Sequence, residues 1–119
     1  MHVSKVTHLA NAYVLGSSLS SWKPPRSPSG YIELTSRALW DRGLGDFWSH
    51  MLVAEGCAEV GVDPIGNLWD LAPLQVIVEE AGGTFTDLDG RPRADGGHGV
   101  STNGLLHSEV LAILGGSKT

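Results

Sequence analysis

Cysteine is nearly absent: Cys57 is the only one in 119 residues. A lone thiol excludes an internal disulfide and fits a reducing compartment such as the cytoplasm. Lys and Arg never form a run, and the net charge is −5. That pattern offers nothing to nucleic acid or to an anionic membrane. No apolar stretch approaches the ~20 residues that a membrane-crossing helix needs. The opening Met1-His2-Val3-Ser4-Lys5 lacks the basic start and apolar core of a secretory signal. His2, His8, His50, His98 and His107 show no His-x-x-x-His spacing and there is no Cys-x-x-Cys, so the ligand pattern of a zinc site is missing. Internal repeats are missing as well.

What is present is an ordinary globular composition, 41% hydrophobic, which argues against disorder. The length allows one domain at most. The most informative stretch runs from Leu68-Trp69-Asp70-Leu71-Ala72-Pro73 to Ala81-Gly82-Gly83. Proline is tolerated in the first turn of a helix, where amides have no intrahelical partner. A helix is therefore expected to start near Leu71, with Asp70 at or beside its N-cap. Leu71, Leu74, Ile77, Val78 and Ala81 share one face at helical spacing, and Gly82-Gly83 ends it. Thr84-Phe85-Thr86 alternates like a strand, and Asp87-Leu88-Asp89-Gly90 reads as a turn.

Earlier in the chain, Ser4–Ala10 reads as one helical turn and Ala12–Leu15 as a strand. Residues 17–29 form a loop rich in serine and proline, with Trp22 placed to pin it to the body. A helix starts at Ser29 or Gly30, and its end around Leu39-Trp40 passes into Asp41-Arg42-Gly43, where a strand is the alternative. Leu44–Glu55 reads as a helix with Phe47, Met51 and Ala54 along one stripe. Cys57 follows its end and is expected to be a buried structural thiol. Ala58–Val62 reads as a strand, Gly99–Thr102 as a short strand and His107–Leu114 as a last helix. Alternation of this kind argues an α/β layer structure with a mostly parallel sheet, in which ligands gather at the carboxyl ends of strands and the first turns of helices.

Three acids recur at such positions: Asp46, Asp63 and Asp70, with Arg42 four residues before Asp46 and Asp63 seven before Asp70. If the sheet is parallel, they converge on one rim. Each also has a structural use: Asp46 and Asp70 as helix caps, Asp63-Pro64 as a turn opener, Arg42 in a surface ion pair.

Trp69-Asp70-Leu71-Ala72, followed by Glu79-Glu80-Ala81-Gly82-Gly83 and Asp87-Leu88-Asp89-Gly90, resembles the C-terminal signature of the inositol-monophosphatase-like family. Gly45-Asp46-Phe47-Trp48-Ser49-His50 through Gly56 is similar to its histidinol-phosphate phosphatase branch. The resemblance runs from about Val3 to Leu114 and corresponds to the C-terminal half of an αβαβα sugar-phosphatase fold. It implies a small phosphate monoester as substrate, most simply histidinol phosphate in histidine biosynthesis, with an inositol phosphate as the alternative. It implies Mg²⁺ as cofactor, with Asp70 as metal ligand and catalytic residue. It implies Asp63, Asp46, Gly45, Phe47 and Arg42 on the substrate side, where a carboxylate suits a cationic amino-alcohol. The family's Asp-Pro-Ile-Asp-Gly-Thr-type metal loop has no counterpart: Asp63-Pro64-Ile65-Gly66 lacks the second Asp and the Gly-Thr. The chain by itself is accordingly expected to be inactive, and to act with a complementing N-terminal half, as a homo-oligomer, or as a non-catalytic binding module of the same fold.

Overall fold

The structure, a computed structural model, describes residues 1–16, 22, 28–43, 48–64, 68–95 and 97–115, without the side chains of residues 48 and 68–70. After a 3-10 turn at Leu9–Asn11 come strand β1 (Tyr13–Gly16), helix α1 (Ser29–Arg37), strand β2 (Trp40–Gly43), helix α2 (Trp48–Ala54), strand β3 (Val60–Asp63), helix α3 (Leu68–Glu80), strands β4 (Thr84–Thr86) and β5 (Gly99–Thr102), and helix α4 (His107–Leu114). The strands form one sheet in the order β2-β1-β3-β5-β4. β1 pairs in parallel with both β2 and β3, whereas β5 runs antiparallel to β3 and to β4. The expectation of a mostly parallel sheet holds, with β5 as the reversed strand.

Strand residues alternate between two cores. Val14, Val60, Val62 and Val100 meet Tyr31 and Leu34 of α1 and Val110 and Leu114 of α4 on one side. Leu15 and Phe85 meet Val53 and Ala54 of α2 and Leu71, Leu74 and Val78 of α3 on the other. The layers are therefore α1–α4, sheet, α2–α3. β2 is an edge strand whose four residues are all exposed.

Of the α3 face its spacing predicts, Leu71, Leu74, Val78 and Ala81 are buried and Ile77 is half-buried against the same core. Gly82 closes the helix at φ +91°, and the Gly83 N–H reaches back to the Val78 carbonyl at 2.9 Å, the capping pattern that glycine adopts most easily. Its start differs from expectation. The helix begins at Leu68, so Asp70 is its third residue and Pro73 its sixth. Proline there costs only the bond to the Trp69 carbonyl, still within the opening turns, so the helix extends upstream of it.

Other boundaries also moved. Ser4–Ala10 is not a helical turn; only Leu9–Asn11 winds, as a 3-10 turn. The segment around Leu39-Trp40 resolves into a helix end at Arg37 and strand β2. In α2 the inward residues are Ser49, His50, Val53 and Ala54, while Met51 and Leu52 are half-buried. Cys57 is exposed rather than buried. It sits in the turn after α2, where its N–H is tied to the Leu52 carbonyl at 2.9 Å, and such turns run over the surface.

Candidate functional site

The strand registers define a rim. Gly16 of β1 stands beside Gly43 of β2 and Val62 of β3. Asp63 stands opposite Gly99 of β5, and Thr86 of β4 opposite Val100. The carboxyl ends of four strands thus meet at one edge of the sheet, together with the amino end of β5. Helices α2 and α3 follow β2 and β3 directly, so both begin at that edge.

Asp63 closes β3 at the rim and is half-buried. Alternation sets its side chain, like that of Arg42, on the α2–α3 face of the sheet. β1 separates their strands, so their backbones stand roughly 10 Å apart. Arg42 is exposed and its guanidinium lies 5.3 Å from the centre of the Trp40 ring, a cation–π distance. Asp70 lies in the first turn of α3, beside the same rim, as the third residue of that helix. Gly45, Asp46 and Phe47, and the side chain of Asp70, lie outside what the structure describes.

A further carboxylate reaches the rim, one that spacing reads only as part of a turn. Asp87 follows β4 and is buried, and its Oδ1 accepts the N–H groups of Asp89 and Arg91, both at 2.9 Å. The Asp-x-x-Gly spacing is the signal for this role: the side chain closes the turn. Among the described residues, no group of three His, Cys, Asp or Glu side chains comes together to hold a metal ion. Mg²⁺ requires six oxygens in near-octahedral array, so the described donors do not form such a shell.

Two buried histidines flank β5, one on each face of the sheet, and residue types at these positions carry no obvious sequence signal. His50 of α2 shares a 2.7 Å hydrogen bond through Nδ1 with Ser101 Oγ of β5. Its ring meets Phe85 edge-on at 5.6 Å. A Cβ on Gly61 of β3 would stand 2.9 Å from Ser101 Oγ and 3.2 Å from His50 Nδ1, so glycine makes the room for this pair. Among the described residues His50 Nε2 is buried with no hydrogen-bond partner, and burial pushes the imidazole down to about 4. On the opposite face, His107 of α4 meets Thr86 Oγ1 through Nε2 at 2.8 Å and Thr102 Oγ1 through Nδ1 at 3.0 Å; burial pushes it to about 4 as well. Consecutive residues of β5 thus hold one histidine on each side of the sheet.

Trp22 is buried and stacks on Tyr31 at 5.5 Å; residues 17–21 and 23–27 of the expected loop lie outside the described residues. The Tyr31 hydroxyl occupies the space where a Gly16 side chain would be. Burial and the neighbouring Asp41 push its phenol up to about 12.

In a layered α/β sheet ligands gather at the carboxyl rim, where Asp63 closes β3 and α3 opens beside it. Residues 1–116 match the inositol monophosphatase family, and the chain belongs to that family. It is 45% identical over 114 residues to a histidinol-phosphatase from Streptomyces coelicolor, covering 96% of this chain and 43% of the relative. It is 46% identical over 114 residues to one from Mycobacterium tuberculosis, covering 96% and 44%. Among solved structures, an IMPase from Thermotoga maritima superposes with a TM-score of 0.83 at 26% identity, over 98% of this chain and 45% of that one. An IMPase/NADP phosphatase solved with Mg²⁺ and phosphate shares the fold, with a TM-score of 0.78 at 20% identity over 95% and 42%. The chain spans less than half the length of these relatives. Among the described residues, no helix is long and apolar enough to cross a membrane.

Proposed function

We propose that this chain is the substrate-side and sheet-bearing part of a Mg²⁺-dependent phosphomonoesterase acting on histidinol phosphate in the cytoplasm, as a step of histidine biosynthesis. The observation that carries the reading is Asp63 at the carboxyl rim, directly before the helix that holds Asp70, in a chain 45% identical to a histidinol-phosphatase. Asp63 and Asp46 supply carboxylates for the substrate ammonium, a charge-assisted pairing that a neutral polyol would not use as well. Gly45 and Phe47 line the leaving-group side. Arg42, on the same sheet face as Asp63, attracts the phosphate. Asp70 contributes one carboxylate to the metal shell. The family's Asp-Pro-Ile-Asp-Gly-Thr-type metal loop has no counterpart in the sequence, so the remaining carboxylates come from a complementing part of the enzyme, and the chain alone releases no phosphate. The domain reading is the same: one C-terminal half domain with a serine- and proline-rich loop at 17–29.

A graft tests this. The matched segment of the Streptomyces coelicolor enzyme is replaced by the corresponding residues of this chain, and phosphate release from histidinol phosphate is measured with Mg²⁺. Turnover is expected, falling about a hundredfold or more in Asp70→Asn, because a lost ligand removes several kcal/mol of charge stabilisation. Asp63→Asn is expected to raise KM with little change in kcat, the mark of lost ground-state binding. A folded but inert graft, or one indifferent to Asp70→Asn, refutes the reading.

A further inference from the structure

The hydrogen bonds around His107 leave its ring one arrangement. Thr86 Oγ1 donates to the Asp87 carbonyl at 2.8 Å, since a carbonyl only accepts. A hydroxyl has one hydrogen, so Thr86 Oγ1 meets His107 Nε2, 2.8 Å away, as an acceptor. Nε2 therefore carries a proton. Burial keeps the ring neutral, which leaves Nδ1 bare, and Thr102 Oγ1 at 3.0 Å donates to it. Thr102 Oγ1 in turn accepts the Gly104 N–H at 2.9 Å. A cationic ring would aim a second donor at that oxygen and leave the Thr102 hydrogen without its acceptor.

Every step of this relay runs the same way: Gly104 to Thr102, Thr102 to His107, His107 to Thr86, Thr86 to the Asp87 carbonyl. Hydrogen bonds aligned head to tail polarise and strengthen one another. The threonines stand diagonally on adjoining strands, Thr102 opposite Thr84 and Thr86 opposite Val100. The relay thus starts at the turn before α4, where Gly104 takes φ +88°, and ends at the rim. There it meets a residue tied on several sides. The Asp87 N–H donates to the Arg91 carbonyl at 2.8 Å, and its carbonyl also accepts the Gly90 N–H at 3.1 Å. Its Oδ1 holds the Asp89 and Arg91 amides.

We propose that His107 is a positioning residue: locked as the Nε2–H tautomer, it holds the Asp87 turn in place at the rim through Thr86. The turn is then ordered before any ligand arrives at the strand ends, where ligands of such sheets gather. Packing alone does not call for these residue types. Thr86 and Thr102 stand on the sheet face that also carries Val14, Val60, Val62 and Val100. Valine would fill the same space there without a hydroxyl that needs a partner. The inference goes beyond the phosphatase reading and stands or falls apart from it.

Nitrogen NMR of the full chain with labelled histidine reads the tautomer at pH 7. The proton is expected on Nε2 of His107, with Nδ1 bare; a proton on Nδ1, alone or with the other, overturns the proposal. Amide hydrogen exchange reads the positioning. Thr86→Val removes the last hydroxyl of the relay at nearly equal size. Exchange at Asp89 and Arg91 should then quicken about tenfold, as one lost hydrogen bond implies. Amides of the β1–β3 ladder should change little, and Thr86→Ser, which keeps the hydroxyl, should keep the parent rates. His107→Gln supplies one donor and one acceptor and should protect the turn better than His107→Leu. Parent-like rates in Thr86→Val, or a rise of equal size throughout the sheet, overturn the proposal. So does a turn that exchanges alike in His107→Gln and His107→Leu, and this pair decides if Thr86→Val does not fold.

Discussion

Acidification should weaken this fold steeply between pH 6.5 and 5, through His50 and His107. An imidazole in the unfolded chain titrates near 6.5, whereas both buried rings are pushed down to about 4. The folded state thus prefers the neutral rings. The stability they confer is complete above pH 6.5 and is lost as pH falls toward 4, because unfolding then takes up protons. At pH 5 each ring costs about 2 kcal/mol, and together about 4 kcal/mol, by the linkage of two pKa values in two states. That is a large share of the roughly 5–15 kcal/mol that holds a domain. Urea unfolding at pH 8, 6 and 5 measures it, with His50→Gln and His107→Gln as variants. Each variant should lower stability at pH 8 yet roughly halve the slope of stability against pH. Imidazole proton resonances followed by NMR should include two that do not titrate above pH 5. A flat profile in the parent protein, an unchanged slope in both variants, or two buried rings titrating near 6.5 would refute the reasoning.

Gly61→Ala should destabilise by about 1–3 kcal/mol, since its Cβ would press on Ser101 Oγ at 2.9 Å and His50 Nδ1 at 3.2 Å; a double-mutant cycle with Ser101→Ala should show clear non-additivity. Phe85→Ala removes a fully buried ring that packs on His50 and should cost about 3–5 kcal/mol, read by calorimetry as a midpoint lowered by roughly 10 °C or more. Asp87→Ala leaves the Asp89 and Arg91 amides without their acceptor; a loss of about 1–3 kcal/mol is expected, together with faster hydrogen exchange confined to that turn.

Local patterns predicted well where one residue type forces one geometry. Gly82 marked the end of α3, the alternation around Phe85 marked β4, and the strand-helix order gave a sheet whose carboxyl ends share a rim with Asp63. Patterns failed where packing chose among permitted options. Leu68–Leu71 is compatible with either a helical turn or a lead-in, and the helix took the turn. The α2 phase depended on His50, which reads as polar in sequence yet sits fully buried, because Ser101, 51 positions away, satisfies one of its nitrogens. Cys57 was expected inside on residue type alone, but the turn it occupies faces water. The reversed direction of β5 followed from its pairing with β3 and β4, which no short stretch encodes.

The exposed outer strand has a bearing on self-assembly. If two molecules joined their β2 strands head to tail about a two-fold axis, residues facing one another would have to point to the same side of the joined sheet. Within Trp40–Gly43 only two such registers overlap well, and they set Asp41 against Asp41 or Arg42 against Arg42. Like charges directly across a ladder repel, so the order of two neighbouring residues disfavours joining this edge to its own copy.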